Sequence, residues 1–191
     1  MKQIHKVALA GALAFAFGVT AYAPAPSFAA EQTKMVGGAA MYPSKNIVQN
    51  AVNSKDHTTL VAAVKAAGLV PTLESKGPFT VFAPTNEAFA KLPAGTVDTL
   101  LKPENKKTLT NVLTYHVVAG RLTAKDLMEK VKAGEGKAML KTVEGADLTV
   151  EQKGGKLWIT DAKGDHAEVT IANVMQSNGV IHVVDTVLLP G

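Results

Sequence analysis

The chain has 191 residues, of which 47% are hydrophobic and 19% are charged, and its formal net charge is +4. The absence of cysteine excludes a disulfide-stapled miniprotein, a thiol enzyme and a lipoprotein anchored through cysteine. A charge this close to balance is not typical of nucleic-acid-binding proteins, which carry a strong basic patch, so we expect no nucleic-acid partner.

The N-terminus has the three parts of an export signal. Two lysines precede an uncharged apolar run over residues 7–23, and small residues follow at Ser27 and Ala29. This pattern predicts a signal peptide over residues 1–29, with cleavage after Ala30 as the alternative. We therefore expect an exported protein, either periplasmic or fully secreted.

A transmembrane helix is the rival interpretation of the same apolar run. It needs about 20 apolar residues in succession, and Pro24 and Pro26 interrupt the run early. No second long apolar run follows, so we expect no transmembrane segment in the mature chain. A chain of this length buries about 70% of the surface that its unfolded form exposes, so one core suffices.

Residues 30–43 are predicted to be a flexible lead, because they contain glycine and proline without a regular apolar period. The folded domain is then predicted over residues 44–191. A first helix is expected from Ser44, and its inward side is predicted to carry Ile47, Ala51 and Val52. A second helix is expected within residues 54–68, where apolar residues recur at steps of three and four. Ser54 or Asp56 can cap its start, and Gly68 ends it.

A strand, a tight turn and a helix are predicted within residues 77–93, "GPFTVFAPTNEAFAKLP". The run "FTVFA" has strand composition, and Pro84 ends it. Thr85 can cap the short helix that follows, and Asn86 is expected to satisfy backbone groups through its amide.

Three further helices are predicted before residue 135. Thr96 is expected to cap a short helix, and Pro103 stands where a first-turn proline opens the next. Thr123 and Asp126 resemble a capping box for the last helix.

The apolar period changes to two after residue 135, and turn dipeptides separate the segments. The dipeptide Asn178-Gly179 is the strongest hairpin signal, so its flanking segments are expected to pair antiparallel. Helices in the first half and strands in the second predict an α+β fold.

Three segments of this chain closely resemble the signature segments of the fasciclin domain. They are "GPFTVFAPTNEAFAKLP" at 77–93, "LTNVLTYHVVAGRL" at 109–122 and "VTIANVMQSNGVIHVVDTVLLP" at 169–190. They occur in the family's order and spacing, and the resemblance covers residues 45–190. The structural signature positions are Phe79, Phe82, Pro84, Thr85, Asn86, Phe89, Asn178 and Gly179.

The resemblance implies a single fasciclin domain, a β-wedge of about seven strands with several helices packed on it. It also implies a role in cell adhesion or extracellular protein binding. The chain, as a lone domain behind an export signal, is similar to small secreted or periplasmic bacterial members of the family.

The three phenylalanines of the first segment have a structural and a functional interpretation. They are expected to form a core hinge between sheet and helices, where each buried ring contributes roughly 1.5–3 kcal/mol. The alternative is a pocket for an apolar ligand. With so few aromatic residues elsewhere, we interpret Phe79, Phe82 and Phe89 as scaffold.

Tyr115 and His116 are the candidate partner-binding residues, because the resembled family is implicated in adhesion through this pair. The alternative is structural, since a histidine at a helix end can hydrogen-bond the last carbonyls. An acidic-hydrophobic tripeptide that accompanies receptor binding in the family has only a faint counterpart in "KDLM" at 125–128.

Neither a metal site nor a catalytic site is expected from the sequence. The histidines show no His-x-His or His-x-x-x-His spacing, and the segment 161–166 has too few alternating acids for a calcium loop, which favours a solvated hairpin turn. No G-x-S-x-G elbow or dinucleotide fingerprint is present.

The sequence therefore predicts a non-enzymatic binding module without a cofactor, whose partner is a cell-surface or extracellular protein or a polysaccharide. The alternative is a carrier of a small apolar ligand or lipid in a cavity of the wedge.

Overall fold

The computed structural model describes residues 33–191. The predicted signal peptide and its cleavage site lie outside the described residues. Among those that are described, no helix combines the length and the apolar character needed to cross a membrane.

The described part of the chain is mostly helical in its first half and mostly β in its second, as the sequence predicts. In chain order the elements are β1 (Lys34–Val36), β2 (Ala39–Met41), α1 (Ile47–Ala51), α2 (Thr58–Ala67), α3 (Val70–Glu74), β3 (Phe79–Pro84), α4 (Asn86–Ala90), α5 (Thr96–Leu100), α6 (Lys106–Tyr115), β4 (Val117–Ala119), α7 (Ala124–Ala133), β5 (Lys137–Lys141), β6 (Asp147–Lys153), β7 (Lys156–Thr160), β8 (His166–Gln176) and β9 (Gly179–Val184). Short 3-10 turns lie at Lys55–His57 and Pro103–Asn105.

Seven strands form one mixed sheet in the order β4-β3-β9-β8-β7-β6-β5. The pairing is antiparallel except between β3 and β9, which run parallel from Phe79 opposite Gly179. The two edges nearly meet, because Val118 bridges Thr142 and the Val143 N–H donates to the Val117 carbonyl at 2.7 Å. The α+β class and the seven-stranded wedge are confirmed.

Two hydrophobic cores lie on opposite faces of β3. The helical core is formed by α1 to α4, α6 and one face of β3, and the meander core by α7 and the inner face of β5 to β8. Side chains alternate across a strand, so Val81 and Ala83 enter the helical core while Phe82 enters the meander core. The strand β3 is therefore the wall shared by both cores.

The three phenylalanines pack inside the protein but do not form one hinge. Phe82 is completely buried in the meander core. Phe89 is buried in the helical core, and Phe79 packs against that core while partly exposed. The predicted core hinge is therefore divided between two cores, because the alternation along β3 sends Phe79 and Phe82 to opposite faces.

The segment predicted as a flexible lead contains a β-hairpin. The strands β1 and β2 pair antiparallel around Gly37 and Gly38, which both have positive φ. Val36 and Met41 are buried in the helical core. The hairpin is also held by the bond from the Lys34 ammonium to the Ala172 carbonyl. Gly-Gly is a hairpin turn signal. The prediction of a flexible lead is therefore wrong for this segment, because the two glycines form the turn of a hairpin.

Several helix boundaries follow the predicted capping residues, and two do not. Thr85 accepts a hydrogen bond from the Ala88 N–H at 3.2 Å and caps α4, and Thr123 with Asp126 forms a capping box on α7. By contrast, α2 begins at Thr58 without a side-chain cap, and Gly95 rather than Thr96 occupies the cap position of α5.

Asn86 links two of the helices to each other. The Asn86 amide accepts from the Thr59 N–H at 3.0 Å and donates to the Lys55 carbonyl at 2.7 Å, which links α4 to the start of α2.

The sequence predicts an inward side chain at Val52, and this prediction is wrong. Val52 lies just beyond the end of α1, and its side chain is 47% exposed.

The predicted pairing around Asn178-Gly179 is confirmed, but the dipeptide is not the turn itself. Gln176 pairs with Gly179, so the turn consists of Ser177 and Asn178. The buried Asn178 amide accepts from the Ile47 N–H at 3.0 Å and donates to the carbonyls of Leu73 and Ser75 at 2.7 and 2.9 Å. It therefore joins the β8–β9 turn to α1 and α3.

Replacing Gly179 by alanine is expected to lower the free energy of unfolding by about 1–3 kcal/mol, as overpacking does. A Cβ at this position would lie inside van der Waals contact with the Phe79 carbonyl oxygen on the parallel neighbour β3. Urea unfolding measures the change, and Ser177→Ala, at the exposed position two residues earlier, is the control. Equal stability of the Gly179 variant and the wild type would contradict the close backbone approach.

Candidate functional site

The predicted partner-binding pair lies where α6 ends and β4 begins. Tyr115 is the last residue of α6, and His116 is its C-cap. Their exposed fractions are 0% and 2%. Neither ring reaches the protein surface, so the structure places both residues in a structural network.

The Tyr115 hydroxyl joins α6 to the meander. It donates to the Asp147 carbonyl at 3.0 Å and accepts from the Ala162 N–H at 2.9 Å. Burial raises the pKa of Tyr115, because the ionised form would lose its hydration. The hydroxyl is therefore neutral near pH 7.

His116 bonds to backbone groups through both ring nitrogens. Its Nδ1 lies 2.8 Å from the Val112 carbonyl, which can only accept, and its Nε2 accepts from the Leu188 N–H at 3.0 Å. These partners assign the proton to Nδ1. Burial lowers the pKa of His116 to about 4, so the ring is neutral at physiological pH.

Asp161 holds the same C-terminal segment beside His116. Its Oδ2 accepts from the Leu189 N–H at 2.9 Å, and its Oδ1 accepts from the N–H groups of Lys163 and Asp165, both at 2.9 Å. The expectation of a solvated turn is wrong for Asp161, which is buried. Its oxygens bind backbone donors, which is structural chemistry rather than metal ligation.

An apolar cavity of about 70 Å³ lies between the helices and β3. It is lined by side chains from α1, α2, α3, β3, α6 and β9, among them Ile47, Leu60, Val64, Leu73, Val81 and Leu113. The exposed residues Lys65, Thr72 and Val143 also line it, so the cavity extends to the protein surface. Phe82 and His116 also line the cavity.

His57 is the polar side chain of interest in the cavity wall. It ends the 3-10 turn before α2 and is 3% exposed. Its Nδ1 lies 2.9 Å from the Ser54 hydroxyl, while its Nε2 has no hydrogen-bond partner among the described residues. Burial lowers the pKa of His57, and the nearby Ala83 carbonyl partly offsets this shift without forming a bond of good geometry.

Sequence reasoning did not single out His57. From the sequence, Ser54 was interpreted only as a possible helix cap, although it stands three residues before His57. Within residues 33–191, no group of three or more histidine, aspartate or glutamate residues is arranged to hold a metal ion. The candidate site is therefore a mainly apolar cavity whose wall contains the unpartnered His57 Nε2.

The comparisons with known proteins agree with this fold. The family model "Fasciclin domain" matches residues 55–190. The chain is 47% identical over 184 residues to Protein sll1483 of Synechocystis, covering 96% of this chain and 95% of that protein. It is 39% identical over 145 residues to the immunogenic protein MPB70 of Mycobacterium bovis, and the match covers 73% of this chain and 66% of that protein.

A solved structure of a FAS1 domain pair from the insect cell adhesion molecule Fasciclin I is similar in fold. The TM-score is 0.67 at 21% sequence identity, and the match covers 76% of this chain and 51% of that chain.

Proposed function

The chain belongs to the fasciclin domain family, and on that premise we propose that it is an exported binding module that mediates adhesion or interaction with a surface. Its partner is a cell-surface or extracellular protein or a polysaccharide. The observation that carries the proposal is the family match over residues 55–190, since the family is known for cell adhesion and extracellular interaction.

The family is generally non-enzymatic, and the site chemistry supports the same role here. Catalytic sites usually bring together groups with pKa values shifted toward the working pH. Here burial moves the pKa values of His57, His116 and His182 downward. The shift keeps these buried rings neutral near pH 7.

Direct binding tests the proposed function. We expect the purified protein to bind intact source cells, a matrix protein or a surface polysaccharide in a saturable way, as measured with a fluorescent label. Binding to none of the three would contradict the proposal. Excess unlabelled protein serves as the control for nonspecific adsorption, because it competes only for saturable sites.

The same assay tests a role of Tyr115 and His116 in partner contact. Because both rings are buried, we expect His116→Gln to lower stability without a specific loss of binding at temperatures where the variant is folded. A folded variant that no longer binds would support partner contact through this pair.

Carriage of a small apolar ligand is the second candidate function, and the apolar cavity favours it. Ligand sites are mostly apolar with a few placed polar groups, which describes this cavity and His57. Native mass spectrometry of protein purified from its source should then show added mass. A mass equal to that of the polypeptide alone would count against carriage.

A further inference from the structure

The unpartnered nitrogen of His57 indicates which kind of molecule the cavity takes. We propose that the cavity binds a slender apolar molecule carrying one neutral acceptor oxygen, which accepts a hydrogen bond from His57 Nε2. This inference rests on the second candidate function, ligand carriage, and it names the ligand class and the residue that orients it.

The Ser54 hydroxyl determines which ring nitrogen of His57 carries the proton. Both side chains are buried, and the hydroxyl has no hydrogen-bond acceptor other than His57 Nδ1 within the described part of the chain. A buried hydroxyl without an acceptor is costly, so it donates to Nδ1. The neutral ring then carries its proton on Nε2, and Nε2 is a donor in need of an acceptor.

The nearby backbone does not satisfy this donor. The Ala83 carbonyl is close enough to affect the ring's titration but does not form a hydrogen bond of acceptable geometry with Nε2. Buried polar atoms in folded proteins nearly always have a partner. An oxygen on a bound molecule in the cavity, whose wall includes both His57 and Ala83, supplies that partner.

The apolar wall and the neutral His57 ring favour a neutral oxygen over a carboxylate. A carboxylate placed against His57 would lose its hydration, and the neutral ring would not compensate for that loss. The wall around it is made almost entirely of apolar side chains. A ketone, aldehyde, ester or alcohol oxygen meets the requirement at a lower desolvation cost.

The size of the cavity selects a slender molecule. Its volume of about 70 Å³ is about half that of the engineered cavity of about 150 Å³ that binds benzene. A ring therefore fits poorly, whereas an alkyl chain can lie in the cavity and continue outward past Lys65 and Thr72, which line the cavity and are exposed.

Matched probes test the inference with the purified protein. We expect 2-heptanone to bind about three- to tenfold more tightly than heptane, the range that one net hydrogen bond supplies. Titration calorimetry measures both affinities. In His57→Phe the preference for 2-heptanone should be lost or reversed, because its oxygen would be buried without a donor. In His57→Gln, whose amide can donate, part of the preference should return.

A second measurement uses the wild type alone and does not depend on the variants folding. The ¹⁵N chemical shifts of the His57 ring should show a protonated Nε2, and 2-heptanone should shift this resonance while heptane leaves it nearly unchanged. A proton found on Nδ1, or equal binding of both probes with no shift, would overturn the role of His57 while ligand carriage stood. Binding of neither probe would overturn the inference and carriage together, and would leave surface adhesion to its own test.

Discussion

Replacing Phe82 by alanine is expected to lower the free energy of unfolding by about 3–5 kcal/mol, the range for large-to-small changes in a core. The ring is completely buried in the meander core and stacks on the His182 ring, with centroids 5.8 Å apart and planes 27° apart. His182 in turn contacts the Leu122 carbonyl at 2.9 Å through Nε2. Removing Phe82 therefore leaves a cavity and loosens a buried histidine.

Guanidinium unfolding at pH 7 measures the change, and Met139→Ala is the matched control. Met139 also lies in the sheet, on β5, but its side chain is 71% exposed, so we expect a change within about 0.5 kcal/mol. An unfolding midpoint for Phe82→Ala equal to that of the wild type would show that β3 does not separate two packed cores.

Lowering the pH from 7 to 4 is expected to reduce stability, with about 3 kcal/mol of the loss due to His116. The pKa of His116 is about 4 in the folded protein, whereas the ordinary pKa of histidine is 6.5. Between these two values the unfolded state binds a proton that the folded state does not, so stability falls as the pH falls through 6.5. Each unit of pKa difference corresponds to about 1.4 kcal/mol, and the loss is complete near the folded pKa.

The geometry of His116 explains the direction of this effect. Protonation would place a second N–H on Nε2, facing the Leu188 N–H that it now accepts from. Burial lowers the pKa values of His57 and His182 in the same direction, so both add to the acid sensitivity.

The stability of the wild type and of two histidine variants, measured from pH 7 to pH 4, tests this prediction. We expect His116→Gln to start less stable at pH 7 and to lose less stability toward pH 4 than the wild type. His166→Gln, at an exposed position, should lose as much as the wild type. Parallel curves for His116→Gln and the wild type would contradict the burial of an uncharged imidazole at this position.

Local features of the fold were predictable from the sequence because they depend on neighbouring residues. The cap at Thr85, the capping box at Thr123 and Asp126, and the left-handed glycine at Gly68 that ends α2 all act within one helical turn. The antiparallel meander was predictable for the same reason, since short turns join its strands.

Features that depend on distant residues were not predictable by the same reasoning. The parallel pairing of β3 with β9 joins strands about 100 positions apart along the chain, and no local pattern encodes it. That pairing explains why Gly179 lies in a strand rather than in the turn. The division of the aromatic residues between two cores follows from the same sheet order.

The candidate site was predictable only as a general possibility. An apolar cavity was an alternative at the level of the sequence, but its wall is assembled from several helices and from β3 and β9. His57 became recognisable only when Ser54 was seen to bond to its ring rather than to cap α2. A partner for Nε2 could not be assessed before the surroundings of the ring were known.

Crosslinking on intact source cells tests the central claim most directly. The purified protein, carrying a photoreactive label on its surface lysines, should crosslink to one or a few surface components, and excess unlabelled protein should abolish the product. Labelled protein that crosslinks to nothing on the cell, or whose products are unaffected by the unlabelled competitor, would contradict a role in surface binding.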